Sequence, residues 1–252
     1  MAMPIDVSTK GVLVDDLVHT TLWLFILVGT AASLLLLYLV IRYRRGTEKK
    51  AFPAKGEGIA ILIASACAIM VTDAYLLCRS VVDRGELLSV EAGKGKKTLR
   101  VQANAQQWFW QFRYAGKDGA FATNDDVVSE TLRVPVGTKV WVQVGSADVV
   151  HGFHLPELRV KADIIPGRLT NVGFQAERTG QFHVVCAQFC GVSHYRMSAD
   201  LDVLSQLEFA EYLERAETEA LLFQTEKVRA AKEAGKSVTT LENNRNWGWP
   251  WK

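Results

Sequence analysis

Charge of one sign is what this chain lacks. Its 29 lysines and arginines nearly balance 27 aspartates and glutamates, a formal charge of +2 over 252 residues. That balance excludes a nucleic-acid binder as the natural reading. No Cys-x-x-Cys-His sequence occurs, so the chain carries no covalently attached haem. No fused second redox module is visible. Cysteine and methionine are scarce, four of each, and histidine occurs five times. The one close cysteine pair, Cys186 and Cys190, has no second pair at the spacing of most zinc motifs.

What little thiol and thioether there is gathers in one place. Cys186-Ala187-Gln188-Phe189-Cys190-Gly191-Val192-Ser193-His194-Tyr195-Arg196-Met197 holds two cysteines, a histidine and a methionine. Thiolate and thioether are soft ligands that favour cuprous ion, and imidazole accepts both copper oxidation states. A site offering all three suits copper and electron transfer. A disulfide between the cysteines leaves His194 and Met197 without a purpose. Zinc takes two cysteines and two histidines but does not ordinarily take methionine. Plain core packing is the third alternative, since buried cysteine and methionine often do no more than pack.

Two apolar runs fill the N-terminal third, at 17–41 and 58–79. Each exceeds the roughly 20 residues needed to cross a hydrocarbon layer about 30 Å thick. The first is too long for a signal-peptide core, and Asp15 and Asp16 precede it in place of a basic segment. The connecting stretch 42–57 carries Arg42, Arg44, Arg45, Lys49, Lys50 and Lys55, which places it in the cytoplasm. The N-terminal stretch 1–16 and everything after the second span then lie outside, and the expected location is a bacterial cytoplasmic membrane. Asp73 within the second run calls for a partner helix or a position near the headgroups. Cys67 and Cys78 read as packing residues.

From Leu99 onward short runs rich in Val, Thr, Phe and Trp alternate with turn residues. Strands are expected at 99–105, 108–114, 131–135, 139–144, 168–174, 181–186 and 199–204. Gly116, Asp118-Gly119, Val136-Gly137, Pro166-Gly167 and Thr179-Gly180 punctuate them. Such spacing predicts a sandwich or Greek-key barrel occupying 80–205. Its metal site needs one histidine from an earlier strand, and His151 or His154 supplies it. Three apart in an extended segment, these two point to opposite faces, so only one is a ligand. His183 reads as a surface or core histidine.

The segment 206–252 begins as a helix bearing Phe209, Leu213, Leu221 and Leu222, which runs to about Glu233 before Ala234-Gly235 stops it. The chain ends with Trp247, Trp249 and Trp251, rings suited to a membrane interface or a partner subunit.

Two spans, an external β-domain, Val150-His151 and the Cys-x3-Cys-x3-His-x2-Met loop together resemble subunit II of the haem-copper cytochrome c oxidases. Gln107-Trp108-Phe109-Trp110 matches that family's aromatic stretch. Leu158-Arg159-Val160-Lys161-Ala162-Asp163 with Pro166-Gly167-Arg168 matches the stretch after its first histidine. The resemblance covers roughly residues 15–205. It implies a membrane-anchored all-β protein: a transmembrane α-hairpin, a cupredoxin-like Greek-key barrel and a C-terminal helical extension. It further implies a two-copper, mixed-valence CuA centre that takes electrons from a cytochrome c, soluble or membrane-tethered, and passes them to haem in subunit I. There oxygen is reduced to water with proton pumping, in an assembly with further oxidase subunits. His151 and His194 would each ligate one copper, Cys186 and Cys190 would bridge both, Met197 would be a weak ligand, and Gln188 would offer its backbone carbonyl. Trp108 matches the electron-entry tryptophan. Glu57 stands near a glutamate at the entrance of a proton channel.

Two departures from the family pattern stand out. Gln188 replaces a glutamate whose side chain also ligates magnesium at the subunit interface, and a neutral amide serves a hard cation poorly. Arg113 and Lys117 follow the aromatic stretch, with Lys94, Lys96, Lys97 and Arg100 upstream, where members using a basic cytochrome present acids. A donor that is not strongly basic, or one held nearby by a membrane complex, is therefore expected. The competing dock is Asp118, Asp125, Asp126 and Glu157. Three rivals share parts of the pattern: the CuA-bearing subunit of a nitric oxide reductase, a membrane-anchored copper carrier or chaperone, and a one-copper blue cupredoxin. The last leaves Cys186 unexplained.

Overall fold

The computed structural model describes residues 3–44, 57–91, 98–123 and 125–233. The tryptophans of the tail, Lys94, Lys96, Lys97 and most of the basic loop lie outside these. The chain divides into two compact units, residues 12–87 and the remainder.

The first unit is built on two helices, α1 (Gly11–Arg42) and α2 (Glu57–Glu91). α1 is apolar around its whole circumference, the pattern of a helix whose solvent is not water. α1 and the stretch Leu62–Arg84 of α2 are each long and apolar enough to cross a membrane. α2 continues past Arg79, where the expected span ends, and an Arg79–Asp83 ion pair at 3.1 Å links successive turns there.

The second unit is a sandwich of two five-stranded sheets. Its strands are β1 (Leu99–Gln106), β2 (Phe109–Tyr114), β3 (Val127–Ser129), β4 (Leu132–Pro135), β5 (Lys139–Ser146), β6 (His151–Leu155), β7 (Val160–Ile164), β8 (Thr170–Gln175), β9 (Gly180–Cys186) and β10 (Ser198–Leu204). One sheet has the order β3-β2-β1-β5-β8, the other β4-β10-β9-β6-β7. β1 pairs with β5 and β4 with β10 in parallel, while the remaining neighbours are antiparallel. These two parallel contacts arise because the chain crosses to the other sheet before it returns beside an earlier strand. This is the cupredoxin-like architecture expected from the sequence.

The core follows from alternation. Val101, Ala103 and Ala105 of β1, Trp110, Phe112 and Tyr114 of β2, and Val140, Val142 and Val144 of β5 point inward and are buried. Leu132, Val134, Phe153, Leu155, Val184, Leu201 and Val203 meet them from the opposing sheet. β3, β6 and β7 were not among the expected strands. β3 has three residues, and β6 is interrupted by Gly152 and flanked by histidines, so neither shows a long alternating run.

Residues before α1 belong to the β-unit. The Val7 amide donates to Glu157 O at 2.9 Å, the Glu177 amide donates to Val7 O at 2.8 Å, and Val7 is buried. The N-terminal segment is thus laid along the sandwich as an extra edge. At the other end α3 (Gln206–Glu233) starts in a capping box. Ser205 N–H donates to Glu208 Oε2 at 2.9 Å and Glu208 N–H to Ser205 Oγ at 3.2 Å. Phe209, Tyr212, Leu213 and Ala216 then pack on the core.

Candidate metal centre

β9 ends at Cys186, and the chain turns through a loop and a 3-10 turn (His194–Arg196) before re-entering the sheet as β10. The loop is closed at its base by backbone. Cys186 N–H donates to Met197 O at 3.0 Å, and Met197 N–H donates to His194 O at 3.1 Å. Ala187 N–H donates to Gly152 O on β6 at 2.9 Å, tying the loop to the strand that carries His151. Sequence-distant donors are therefore fixed by main-chain bonds rather than by side-chain chance.

Five side chains and one carbonyl converge. Cys186 Sγ lies 3.7 Å from Cys190 Sγ and 3.8 Å from His151 Nδ1. Cys190 Sγ lies 3.5 Å from His194 Nδ1 and 3.8 Å from Met197 Sδ. The Gln188 carbonyl oxygen is 3.2 Å from Cys186 Sγ. Both cysteines are free thiols, so no disulfide competes. Donors each about 2.0–2.3 Å from a tetrahedral ion stand roughly 3.3–3.8 Å from one another, and the four contacts between side-chain donors have that spacing. Each imidazole meets a different sulfur, which suits two ions sharing both thiolates better than one ion. The soft donor set, thioether included, fits copper.

His151 is fully buried, and its Nε2 donates to Asp148 Oδ1 at 2.8 Å. That bond fixes the tautomer and leaves Nδ1 as the acceptor facing Cys186. Burial raises the Asp148 carboxyl, but its bonds with His151 and with the amides of Gln107 and Val149 outweigh this and hold it below the ordinary aspartate range. Burial, reinforced by Cys186, pushes the Cys190 thiol up to about 12. Cys190 therefore holds its proton until a cation replaces it.

His154 turns away from this cluster, its Nδ1 against Val160 O at 2.9 Å, and His183 is exposed beside Glu157 at 3.1 Å. Opposite faces of β6 separate His151 from His154, as alternation requires. Trp108 is half-buried, and its indole N–H donates to Cys190 O at 3.2 Å. Gln107 Nε2 donates to the same oxygen at 2.8 Å. Glu57 is the first residue of α2, and its side chain lies outside what is described.

Of the cations expected near the aromatic stretch, Lys94, Lys96 and Lys97 lie outside the described residues, and the described ones do not stand beside Trp108. Arg113 is buried and paired with Asp126 at 3.5 Å. Lys117 pairs with Glu217 of α3 at 3.5 Å, and Arg100 lies over the rings of Phe121 and Trp141. Arg113 is five residues from Trp108 along the strand direction, about 16 Å, so these charges cluster at the far end of the β1–β2 hairpin. Adjacency in sequence became distance because the segment is extended. What surrounds the ligands instead is apolar: Phe189, Val192 and Tyr195 are 77%, 83% and 80% exposed.

Two residues escaped sequence reading. Asp148 stands three positions before His151, and a carboxylate behind a metal-binding histidine is a recurring arrangement that could have flagged it. Gly152 is required by close approach: a Cβ there would lie 2.8 Å from Ala187 C and 2.9 Å from Gln188 N, both backbone atoms. Gly152→Ala is expected to displace the ligand loop and lower stability by about 1–3 kcal/mol. Thermal denaturation and copper content of the variant check this, and an unchanged copper content would refute it.

Residues 99–203 match the family described as cytochrome c oxidase subunit II, periplasmic domain. Over 236 residues the chain is 30% identical to the alternative cytochrome c oxidase subunit 2 of Bradyrhizobium diazoefficiens, covering 84% of this chain and 83% of that one. It is 31% identical over 149 residues to cytochrome c oxidase subunit 2 of Cereibacter sphaeroides, covering 47% and 49% of the two chains. The crystal structure of the periplasmic domain of cytochrome oxidase subunit II of Bradyrhizobium japonicum is 33% identical, with a TM-score of 0.43, and the match covers 50% of this chain and 97% of that domain.

Proposed function

This chain belongs to the cytochrome c oxidase subunit II family, and from that premise we propose that it is the electron-input subunit of a haem-copper terminal oxidase, holding a binuclear copper centre. The observation that carries the reading is the convergence of Cys186, Cys190, His151, His194, Met197 and the Gln188 carbonyl. When bound, the copper pair supplies a one-electron relay. The chain supplies its rigidity: backbone bonds hold the loop on β6 and β10, and Asp148 locks the His151 ring. Ligands that cannot move between oxidation states keep reorganisation small.

The half-buried Trp108 supports its reading as the entry point, since its ring reaches from the surface to the carbonyl of a ligand residue. The exposed rings of Phe189 and Tyr195 with Val192 support a permanent contact with the haem-bearing subunit, because obligate interfaces are more apolar than transient ones. Magnesium at that interface loses the carboxylate Gln188 replaces. Glu57, at the N-terminus of α2, remains our candidate for the proton-channel entrance. The N-terminal segment lies along the β-unit, and two crossings return the chain to one side, which supports a two-pass subunit with both parts external.

Two coppers per chain and an electron paramagnetic resonance signal from one unpaired electron shared over both test the function. A single localised copper, or none, would sink it and favour the carrier or cupredoxin alternatives. Trp108→Leu is expected to slow oxidation of the donor on the order of tenfold while copper content stays at two. Among the described residues the carboxylate tied to the Trp108 segment is Asp148, through the Gln107 amide, and it also accepts from Val149 N–H, His151 Nε2–H and Ser146 Oγ–H. Turnover should therefore fall only shallowly with added salt. Steep salt dependence would restore the acidic-dock alternative.

A further inference from the structure

Asp73 is the one charged residue of α2 between Glu57 and Arg79. At 1.5 Å per residue it stands about 24 Å along the axis from Glu57 and about 9 Å from Arg79. Those two charges are about 33 Å apart, close to the hydrocarbon thickness of about 30 Å. Asp73 therefore lies inside the apolar layer, and its side chain is too short to reach the headgroups as Arg79 can.

Nothing among the described residues meets it. Among the described residues Asp73 forms no hydrogen bond and no ion pair, and its side chain is exposed. The nearest basic group on its own helix, Arg79, is held by Asp83 at 3.1 Å. His19, the histidine in the apolar stretch of α1, is likewise exposed and is not joined to it. Around Asp73, one turn above and below on the same face, stand Ile69, Met70, Leu76 and Leu77. Ile69, Met70 and Leu77 are 59%, 62% and 64% exposed. A single carboxylate ringed by exposed apolar side chains has the anatomy of an interface centre, where the ring excludes solvent from one strong polar contact.

Lipid offers a carboxylate no partner, and ionisable groups at this depth face other helices and pair there. We propose that Asp73 docks this subunit in the membrane against a transmembrane helix of another oxidase subunit that carries a basic side chain at the same depth. The inference rests on the reading of the chain as a two-span oxidase subunit. The apolar ring packs on that helix, and the ion pair sets its register. Opposite charge is what the site complements; a neutral hydroxyl or amide partner is the competing outcome.

Extraction of the assembled complex in mild detergent, with haem per copy of this chain as the readout, tests the idea on wild type, Asp73→Leu, Asp73→Asn and Asp73→Glu. Leucine is better tolerated in a span than aspartate, so failed insertion does not explain a loss in that variant. The copper signal of the external unit reports that the chain is otherwise folded. Retained haem is expected to fall about tenfold in the leucine and asparagine variants and to survive in the glutamate variant. Leucine retention at the wild-type level would overturn the proposal. Asparagine retention alone would overturn the basic partner in favour of a neutral one. Wild type leaving the membrane without haem would overturn the subunit reading beneath it.

Discussion

Serine at position 190 destroys the copper centre: Cys190→Ser is expected to bind copper at least about a hundredfold more weakly than wild type and to lose the shared-electron signal. The reason is position as much as chemistry. Cys190 touches Cys186, His194 and Met197 at 3.7, 3.5 and 3.8 Å, so three other side-chain donors meet at its sulfur. A serine hydroxyl is hard and stays protonated, and it cannot bridge two soft ions. Met197→Leu should be milder, because the thioether lies at the edge of the cluster and leucine fills the same buried volume. Binding must also displace the proton that burial keeps on Cys190, whose thiol sits at about 12. Below that value the thiolate fraction rises with pH, so apparent copper affinity should climb about tenfold per pH unit from this group alone. Copper per chain by elemental analysis, paramagnetic resonance and titrations at two pH values check these outcomes. Two coppers with a shared electron in the serine variant, or an affinity flat in pH, would refute the bridging role.

The candidate ligands were legible because metal chemistry restricts residue type, and scarce residues cluster only where something holds them. Cys186, Cys190, His194 and Met197 lie within one loop, so spacing alone grouped them. His151 could not be chosen over His154 from spacing. The pleat of β6 separates them, burying His151 beside Cys186 and turning His154 toward Val160 O. Strands with long alternating runs, such as 99–106 and 139–146, were readable. β3, β6 and β7 were not, since short or glycine-broken strands draw stability from neighbours rather than from their own pattern. The charges failed for a related reason. A sequence shows Arg113 near Trp108, but only the register of β2 shows that Arg113 lies at the far end and is buried against Asp126. Electrostatic readings from sequence need the fold first, whereas ligand readings need mainly residue type.

Asp148→Asn is the sharper test of how the site is held, because it leaves every ligand in place. The carboxylate accepts from His151 Nε2 at 2.8 Å, from Gln107 N at 2.7 Å and from Val149 N at 2.6 Å. One amide oxygen cannot serve all three, and the amide nitrogen is a donor facing donors. The His151 ring then loses its fixed tautomer, and a ring free to carry its proton on Nδ1, the nitrogen that faces the cluster, binds the metal poorly. Copper affinity is expected to fall about 10–100-fold, with the fold kept, since one lost charge-assisted bond costs about 1.5–3 kcal/mol. The depressed Asp148 pKa gives the pH sign: its stabilisation is present above the unfolded aspartate value and is lost as pH falls through the folded one. Folding stability of the copper-free wild type should gain nothing further from this group through neutrality and mild acid and should lose its contribution in the range below an ordinary aspartate, and in Asp148→Asn that loss should vanish from the stability–pH curve. Gln107 links the same carboxylate to the Trp108 contact, because its amide nitrogen bonds Asp148 while its side chain bonds Cys190 O. Asp148→Asn should therefore also slow donor oxidation in the copper that remains, whereas a purely structural role would lower copper content and leave the rate per copper unchanged.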